Sequence, residues 1–376
     1  MVGICSYLLV NFWYTRIAAN QSSISALLTN RVGDCFLTIG MFAVLCGFGN
    51  EEEMLFCSFI AINCVNQILL SNKCVLRANP GLVDPNFITG FSDGESCFYI
   101  GIRKTSKVKV GWLIELKYVI NLHKKDQPLL ELIKTYFGVG LIQTSQKSVL
   151  YVCQSIKELD TIIKHFDNFP LITQKRADFI LFKKPFELVK CKKHLTAEGL
   201  KEIIAIKASI NRGLTEQLKT AFPDRPQPVP RPSVEDQEIK DPNWLAGFTA
   251  AEGCFLVDVQ NSNSHKTGKQ VILKFQISQN IRDENLLKSF ISYLDCGRYY
   301  LGANRDRGDF RVHKFHDITN KIIPLLKKYP IHGVKAENFA DFCEIAELMS
   351  NNAHTTAEGL DKIINIKAGM NRGRDP

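Results

Sequence analysis

The stretch Phe87-Ile-Thr-Gly-Phe-Ser-Asp-Gly-Glu-Ser-Cys-Phe98 returns later in the chain as Trp244-Leu-Ala-Gly-Phe-Thr-Ala-Ala-Glu-Gly-Cys-Phe255. Each copy reads as a short apolar helix rich in small residues, with an acidic residue, Glu95 or Glu252, at its C-terminal end. Gly90 and Gly94 are four apart on one helical face, and Gly247 and Ala251 hold the same places in the second copy. Small residues at that spacing let two helix backbones approach closely, whereas a solitary core helix more often buries Leu or Ile there. The two helices are therefore expected to pack on each other about a pseudo-twofold axis. That brings together two carboxylates that no single helix supplies.

The glutamates are 157 positions apart (95 and 252), and the duplication continues beyond them. The run from His194 to Gly213 recurs from His354 to Gly373, and Lys175 matches Lys335. This period far exceeds the 20–50 residues of solenoid repeats. It marks the duplication of a whole domain, each copy being of ordinary domain size.

After each glutamate the hydrophobic period becomes two. Phe98, Ile100 and Ile102 alternate with Tyr99, Gly101 and Arg103, and Phe255, Val257 and Val259 alternate with Leu256, Asp258 and Gln260. Return strands are expected over 112–122 and 270–279, then helices over 128–136 and 284–293. Two further strands per copy fit 138–144 with 149–154 and 297–302 with 309–314, followed by helices over 155–166, 173–189, 197–210 and their counterparts. The fold class is α+β: two pseudo-twofold-related α-β-β-α-β-β-α lobes, each a four-stranded antiparallel sheet with helices on one face. Asp84 and Asp241 are the expected N-caps of the motif helices, with Pro85 and Pro242 at the first helical position. The first repeat occupies 81–221 and the second 241–373. Between them, 222–240 has five prolines within 223–232, which favours an extended, semi-rigid spacer.

The formal net charge is +9, and residues 1–80 contribute nothing to it, holding four basic and four acidic side chains. The whole excess lies on the duplicated part, which suits a polyanionic partner, most simply nucleic acid. Of twelve cysteines, six precede residue 75 and none forms C-x-x-C, so small buried hydrophobes in a reducing compartment fit better than zinc or disulfides. His313 and His316 lack partner ligands at suitable spacing.

Residues 1–80 are a different kind of sequence, with apolar runs at 31–50 and 54–70 near membrane-spanning length. The segments beginning Gly3-Ile-Cys-Ser-Tyr-Leu-Leu-Val-Asn-Phe-Trp-Tyr and Asn30-Arg-Val-Gly-Asp-Cys-Phe resemble subunit 5 of mitochondrial NADH dehydrogenase, and the match fades near Asn50. This resemblance implies an upstream exon read in frame into an intron's reading frame, hence a mitochondrial (matrix) protein. An ordinary membrane anchor is the alternative, and membrane contact is expected only through this segment.

Two glutamates at adjoining helix ends, between two sheets with open basic faces, point to a cleaver of double-stranded DNA. Two-stranded ribbons fit the major groove, and the two sheets would form a saddle over it. The carboxylates would hold Mg²⁺ (or Mn²⁺) through oxygen ligands, offsetting the charge of phosphodiester hydrolysis. From strand alternation alone, Tyr99, Arg103, Lys117, Gln260, Lys274, Gln276 and Arg311 are expected on the DNA-facing side. A one-residue slip would move them all to the other face. A duplicated chain supplies its own twofold mate and should act as a monomer.

Over residues 82–373 the sequence resembles the LAGLIDADG homing endonucleases of the single-chain, two-repeat type, with Leu245-Ala-Gly-Phe-Thr-Ala-Ala-Glu-Gly253 close to the family pattern. The resemblance implies that Glu95 and Glu252 are the metal-binding catalytic acids and that the carbonyls of Gly94 and Ala251 complete the metal shell. It implies a water-ordering role for Gln279, whose counterpart in the first copy is Leu122, and basic residues Lys175 and Lys335 near the cleavage centre. Three positions depart from the pattern: Thr89, Ala250 and Ser96. Ser96 replaces a glycine, and a positive φ there would cost about 1 kcal/mol or more and favour nicking of one strand. An intron-RNA maturase using the same basic surface is the main alternative, and a non-cleaving DNA binder is a third.

Overall fold

The computed structural model describes residues 83–373, apart from 212, 224, 225, 236 and 304. The chain divides into two units, Met1–Gly81 and Leu82–Pro376. The subunit-like segment and its apolar runs lie outside the described residues. Among the described residues no helix is long and apolar enough to cross a membrane.

The first repeat runs α1 (Pro85–Glu95), β1 (Ser96–Lys104), β2 (Trp112–His123), α2 (Gln127–Phe137), β3 (Leu141–Thr144), β4 (Ser148–Cys153), α3 (Ile156–Asn168), α4 (Lys175–Lys190), α5 (Ala197–Ser209) and α6 (Glu216–Ala221). The second runs α7 (Pro242–Glu252), β5 (Gly253–Asn261), β6 (Lys269–Asn280), α8 (Glu284–Leu294), β7 (Arg298–Leu301), β8 (Arg307–Val312), α9 (Ile323–Lys328), α10 (Val334–Ser350) and α11 (Ala357–Ala368). The sheets have the orders β1-β2-β4-β3 and β5-β6-β8-β7, antiparallel throughout.

The motif helices begin where capping chemistry dictates. Asp84 accepts from Asn86 N at 2.8 Å and Asp241 from Asn243 N at 2.7 Å, with proline following each. The repeats differ where a proline intervenes. Ser155 and Glu158 form a capping box that starts the continuous α3. In the second repeat Pro324 lacks an N–H, and the matching stretch is a π-helical turn, Ile318–Ile322, followed by the short α9.

Register places Phe98 opposite Tyr118 and Phe255 opposite Phe275, all buried against the helices. Phe98 also meets Phe166, Phe179 and Phe182, and Phe255 meets Phe339 and Phe342, so each sheet closes its inner face on an aromatic cluster. A repeated clasp ties the far end of each lobe back to its motif strand. Asn211 Nδ2 donates to Phe98 O at 2.8 Å, and Asn371 Nδ2 to Phe255 O at 2.9 Å. Both asparagines hold a positive φ, which asparagine tolerates better than most residues.

The proline-rich joint has no regular secondary structure, but it does not stand free as a spacer. Val229 O accepts from Ser209 Oγ at 2.5 Å, Arg231 Nη1 meets Asp178 Oδ1 at 2.6 Å, and Val234 is buried. Prolines keep the segment extended, while these contacts lay it along α4 and α5.

Candidate active site

Helices α1 and α7 pack directly against each other. A Cβ on Gly90 would overlap Trp244 O and lie 2.9 Å from Phe248 N, and one on Gly247 would overlap Phe87 O and lie 2.9 Å from Phe91 N. The contact is thus reciprocal, backbone on backbone, and only glycine fits at either centre. One turn on, a Cβ on Gly94 would overlap Ala251 Cβ and lie 3.4 Å from Glu252 Oε1. Glu95 and Glu252 end their helices at this junction.

Both glutamates are half-buried and titrate above the ordinary carboxylate range. Burial is the main cause for each, and for Glu95 the neighbouring charge of Glu252 comes next. Two helix C-termini add partial negative charge at the same place. Lysines from α4 and α10 offset it. Lys175 Nζ donates to Ser92 O at 2.9 Å and Gly94 O at 2.8 Å, and Lys335 Nζ to Ala251 O at 2.7 Å. Burial holds both ammonium groups below their usual range, while the glutamates and nearby acids pull the other way.

The two halves are unequal in the way their sequences differ. Gln279 Nε2 donates to Glu252 Oε1 at 3.3 Å, whereas the apolar Leu122 offers Glu95 no such bond. Asp93, at the place Ala250 holds in the second copy, is fully buried beneath the junction. It accepts from Ile172 N, Thr173 N, Thr173 Oγ1 and, across the helix pair, Trp244 Nε1 at 2.8 Å. Burial still pushes its carboxyl up to about 6. The tryptophan's counterpart in the first copy is Phe87, which packs its ring edge-on to His332 and has no N–H to offer an acid at the place of Ala250. Thr89, the other departure, is satisfied by His165 Nε2 at 3.1 Å and Phe169 O at 3.0 Å.

The expected strain at Ser96 is absent. Its φ of −85° and ψ of 162° are ordinary extended backbone, close to the −72° and 153° of Gly253, and its hydroxyl donates to Ser92 O at 2.7 Å. The predicted strand-biased nicking loses its premise.

The residues expected on the open side of the sheets lie there in the assumed register. Tyr99 pairs with Lys117, Leu256 with Lys274, Gln260 with Gln270, and Gln276 with Arg311. Several are bound to acids on the same face: Arg103 and Lys117 to Glu115, Lys274 to Asp258, and Arg311 to the buried Asp309. Lys117 and Lys207 both approach the Tyr99 ring, and Arg311 lies 5.1 Å from the Tyr300 ring centre. Alternation did not single out Asp309 or Lys207. It also left out Asp126 and Asp283, whose charges reach Glu95 and Glu252 respectively. Their separation equals that of the glutamates, a signal already present in the duplication.

Among the described residues no group of three or more His, Cys, Asp or Glu side chains gathers to hold a metal. The oxygen donors at the junction are the Glu95 and Glu252 carboxylates with the helix-end carbonyls of Gly94 and Ala251. Hard divalent cations prefer such a set. Each carbonyl already accepts from a lysine and keeps a second lone pair. The donors fit a Mg²⁺-type ion.

Residues 88–186 and 245–346 match the family described as LAGLIDADG endonuclease, and residues 1–73 match NADH:quinone oxidoreductase/Mrp antiporter. A probable intron-encoded endonuclease of Neurospora crassa is 40% identical over 285 residues, covering 75% of this chain and 53% of that protein. A second from the same organism is 38% identical over 302 residues, covering 77% and 65%. The chain therefore spans between half and two thirds of the length of these curated relatives. NADH-ubiquinone oxidoreductase chain 5 of Trichophyton rubrum is 84% identical over 51 residues, 14% of this chain and 8% of that one. Among solved structures, the LAGLIDADG homing endonuclease I-SmaMI bound to cleaved DNA is 43% identical, with a TM-score of 0.76 over 78% of this chain and 99% of that one. I-GzeII in complex with its DNA target is 39% identical, with a TM-score of 0.73 over 78% and 100%. With two matched repeats, two sheets and a glycine-packed helix pair, this chain belongs to the LAGLIDADG endonuclease family.

Proposed function

We propose that the protein is a sequence-specific double-stranded DNA endonuclease that hydrolyses one phosphodiester on each strand at a long asymmetric site. The observation that carries this reading is the convergence of Glu95 and Glu252, one from each repeat, at a junction only glycine permits. One acid per repeat suits one cut per strand. The DNA-bound structures of I-SmaMI and I-GzeII support double-stranded DNA as the partner.

In this reading the two carboxylates, with the Gly94 and Ala251 carbonyls, hold Mg²⁺ or Mn²⁺. Such an ion supplies a water of lowered pKa and neutralises charge on the phosphate. Lys175 and Lys335 balance the paired acids and present positive charge to an anionic backbone. Gln279 fixes the orientation of the Glu252 carboxylate. The paired sheets carry Tyr99, Arg103, Lys117, Gln260, Lys274, Gln276 and Arg311 to the groove, and phosphate contacts make binding strongly salt-dependent.

The segment resembling chain 5 supports an intron reading frame continuous with its upstream exon, and hence a mitochondrial protein that acts in intron homing. Its target would be the intronless gene for that subunit, across the junction near the codon for Asn50. The test is incubation of the full chain with Mg²⁺ and that junction DNA. A break in each strand is expected. Equal binding to unrelated DNA without cleavage would overturn the reading, and splicing of intron RNA without DNA cleavage would favour a maturase.

A further inference from the structure

Asp126 and Asp283 stand at the N-cap positions of α2 and α8, yet neither side chain bonds its own helix. Each crosses to the other lobe. Asp126 Oδ1 accepts from Val334 N, the first residue of α10, at 2.9 Å. Asp283 Oδ1 accepts from Gln174 N, immediately before α4, at 2.8 Å. The residue following each of these amides is a site lysine: Lys335 after Val334, and Lys175 after Gln174.

A carboxylate on a first-turn amide fixes where a helix starts, and it complements the positive end of the helix dipole. The aspartate of one lobe thereby sets where the lysine of the other lobe leaves its helix. The backbone is shaped for this at Gly333, whose φ is 82° and where a Cβ would lie 2.7 Å from Asp126 Oδ1. On the other side Gln237, from the joint between the repeats, donates to Asp283 Oδ1 at 2.9 Å and to Ile172 O at 3.1 Å. From these starts the ammonium groups reach Ala251 O and Gly94 O, one residue before each glutamate.

We propose that Asp126 and Asp283 are positioning residues, each holding across the lobe interface the site lysine of the opposite lobe. The crossed arrangement keeps the two halves in register with each other, because a shift of either lobe displaces a lysine in its partner. This inference rests on the nuclease reading. Neither aspartate is expected to touch DNA.

The test uses the full chain with strand-specifically labelled target DNA, comparing Asp126→Ala, Asp283→Ala and Asp126→Asn. The two alanine variants are expected to slow cleavage by ten- to a hundredfold, as order-of-magnitude figures for a misplaced group, and on opposite strands. KM for DNA should be unchanged. Asp126→Asn keeps an acceptor oxygen and should cut near the wild-type rate. Hydrogen exchange without metal or DNA gives a second readout. Asp126→Ala should speed exchange at Val334 while sparing Gln174, and Asp283→Ala the reverse.

Equal slowing of both strands by both variants, or unchanged exchange at these amides, overturns the proposal. A wild-type chain that cuts neither strand overturns the nuclease reading instead. The exchange pattern then still decides whether the aspartates hold the lysine-bearing helix starts.

Discussion

Gly94 and Glu252 belong to different repeats, yet a Cβ on Gly94 would stand 3.4 Å from Oε1 of Glu252 and overlap Ala251 Cβ. The meeting of the two helix-end carboxylates and the helix packing are therefore one structure. Gly94→Ala should prise the helix ends apart at a cost of about 1–3 kcal/mol, the usual range for overpacking. Cleavage should fall further than that destabilisation explains, because the two carboxylates no longer share a site. Thermal melting and a cleavage assay on the same sample measure both effects.

The raised glutamates give a pH signature. A carboxyl whose folded pKa exceeds its unfolded value contributes stability below the unfolded pKa, and this is lost as pH rises through the folded pKa. Above the folded pKa values the metal-free protein therefore carries two unfavourable charges. Glu95→Gln and Glu252→Gln should each raise the melting temperature without metal, with a gain that vanishes near about pH 4. Added Mg²⁺ should stabilise the wild type and leave both variants unmoved.

Asp93 should behave differently from the glutamates, because it is surrounded by donors. Asp93→Ala leaves the Trp244 indole N–H, two amides and a hydroxyl unpaired. At about 1–3 kcal/mol for each group truly left unsatisfied, the variant should melt well below the wild type. With its carboxyl at about 6 in the folded state, Asp93 favours folding most at low pH, and that contribution declines as pH rises towards 6. The step should disappear from the stability profile of Asp93→Ala.

The residues after the two glutamates are not interchangeable. Ser96→Gly removes one hydroxyl bond to Ser92 O and should cost about 1 kcal/mol. Gly253→Ser places a Cβ 2.6 Å from Thr249 O and 2.7 Å from Thr249 Cγ2, and should cost about 2 kcal/mol or more. Wild-type cleavage should show no strand bias traceable to Ser96, and Ser96→Gly should leave the ratio of nicking rates unchanged.

The legible parts of this molecule were those the chain states twice. The small-residue spacing, the Asp-Pro helix starts and the strand alternation each recur, so the lobes, the sheets and the helix pair could be read from the repeated pattern alone. The departures were harder. Ser96 suggested strain because glycine is usual there, but the backbone φ was the deciding quantity, and residue identity does not encode it. Proline content described the joint as a spacer, while the bonds from Ser209 and Arg231 that pin it depend on tertiary neighbours. Asp126 and Asp283 resemble ordinary N-caps in sequence, and only the cross-lobe packing turns them outward.

Anomalous scattering from Mn²⁺ in crystals of the protein with its target DNA decides whether Glu95 and Glu252 share a divalent cation. A peak is expected within roughly 2–2.5 Å of a carboxylate oxygen from each glutamate, and it should vanish in Glu95→Gln,Glu252→Gln. Ordered manganese only at other sites, with the two carboxylates bare, would contradict a shared cation.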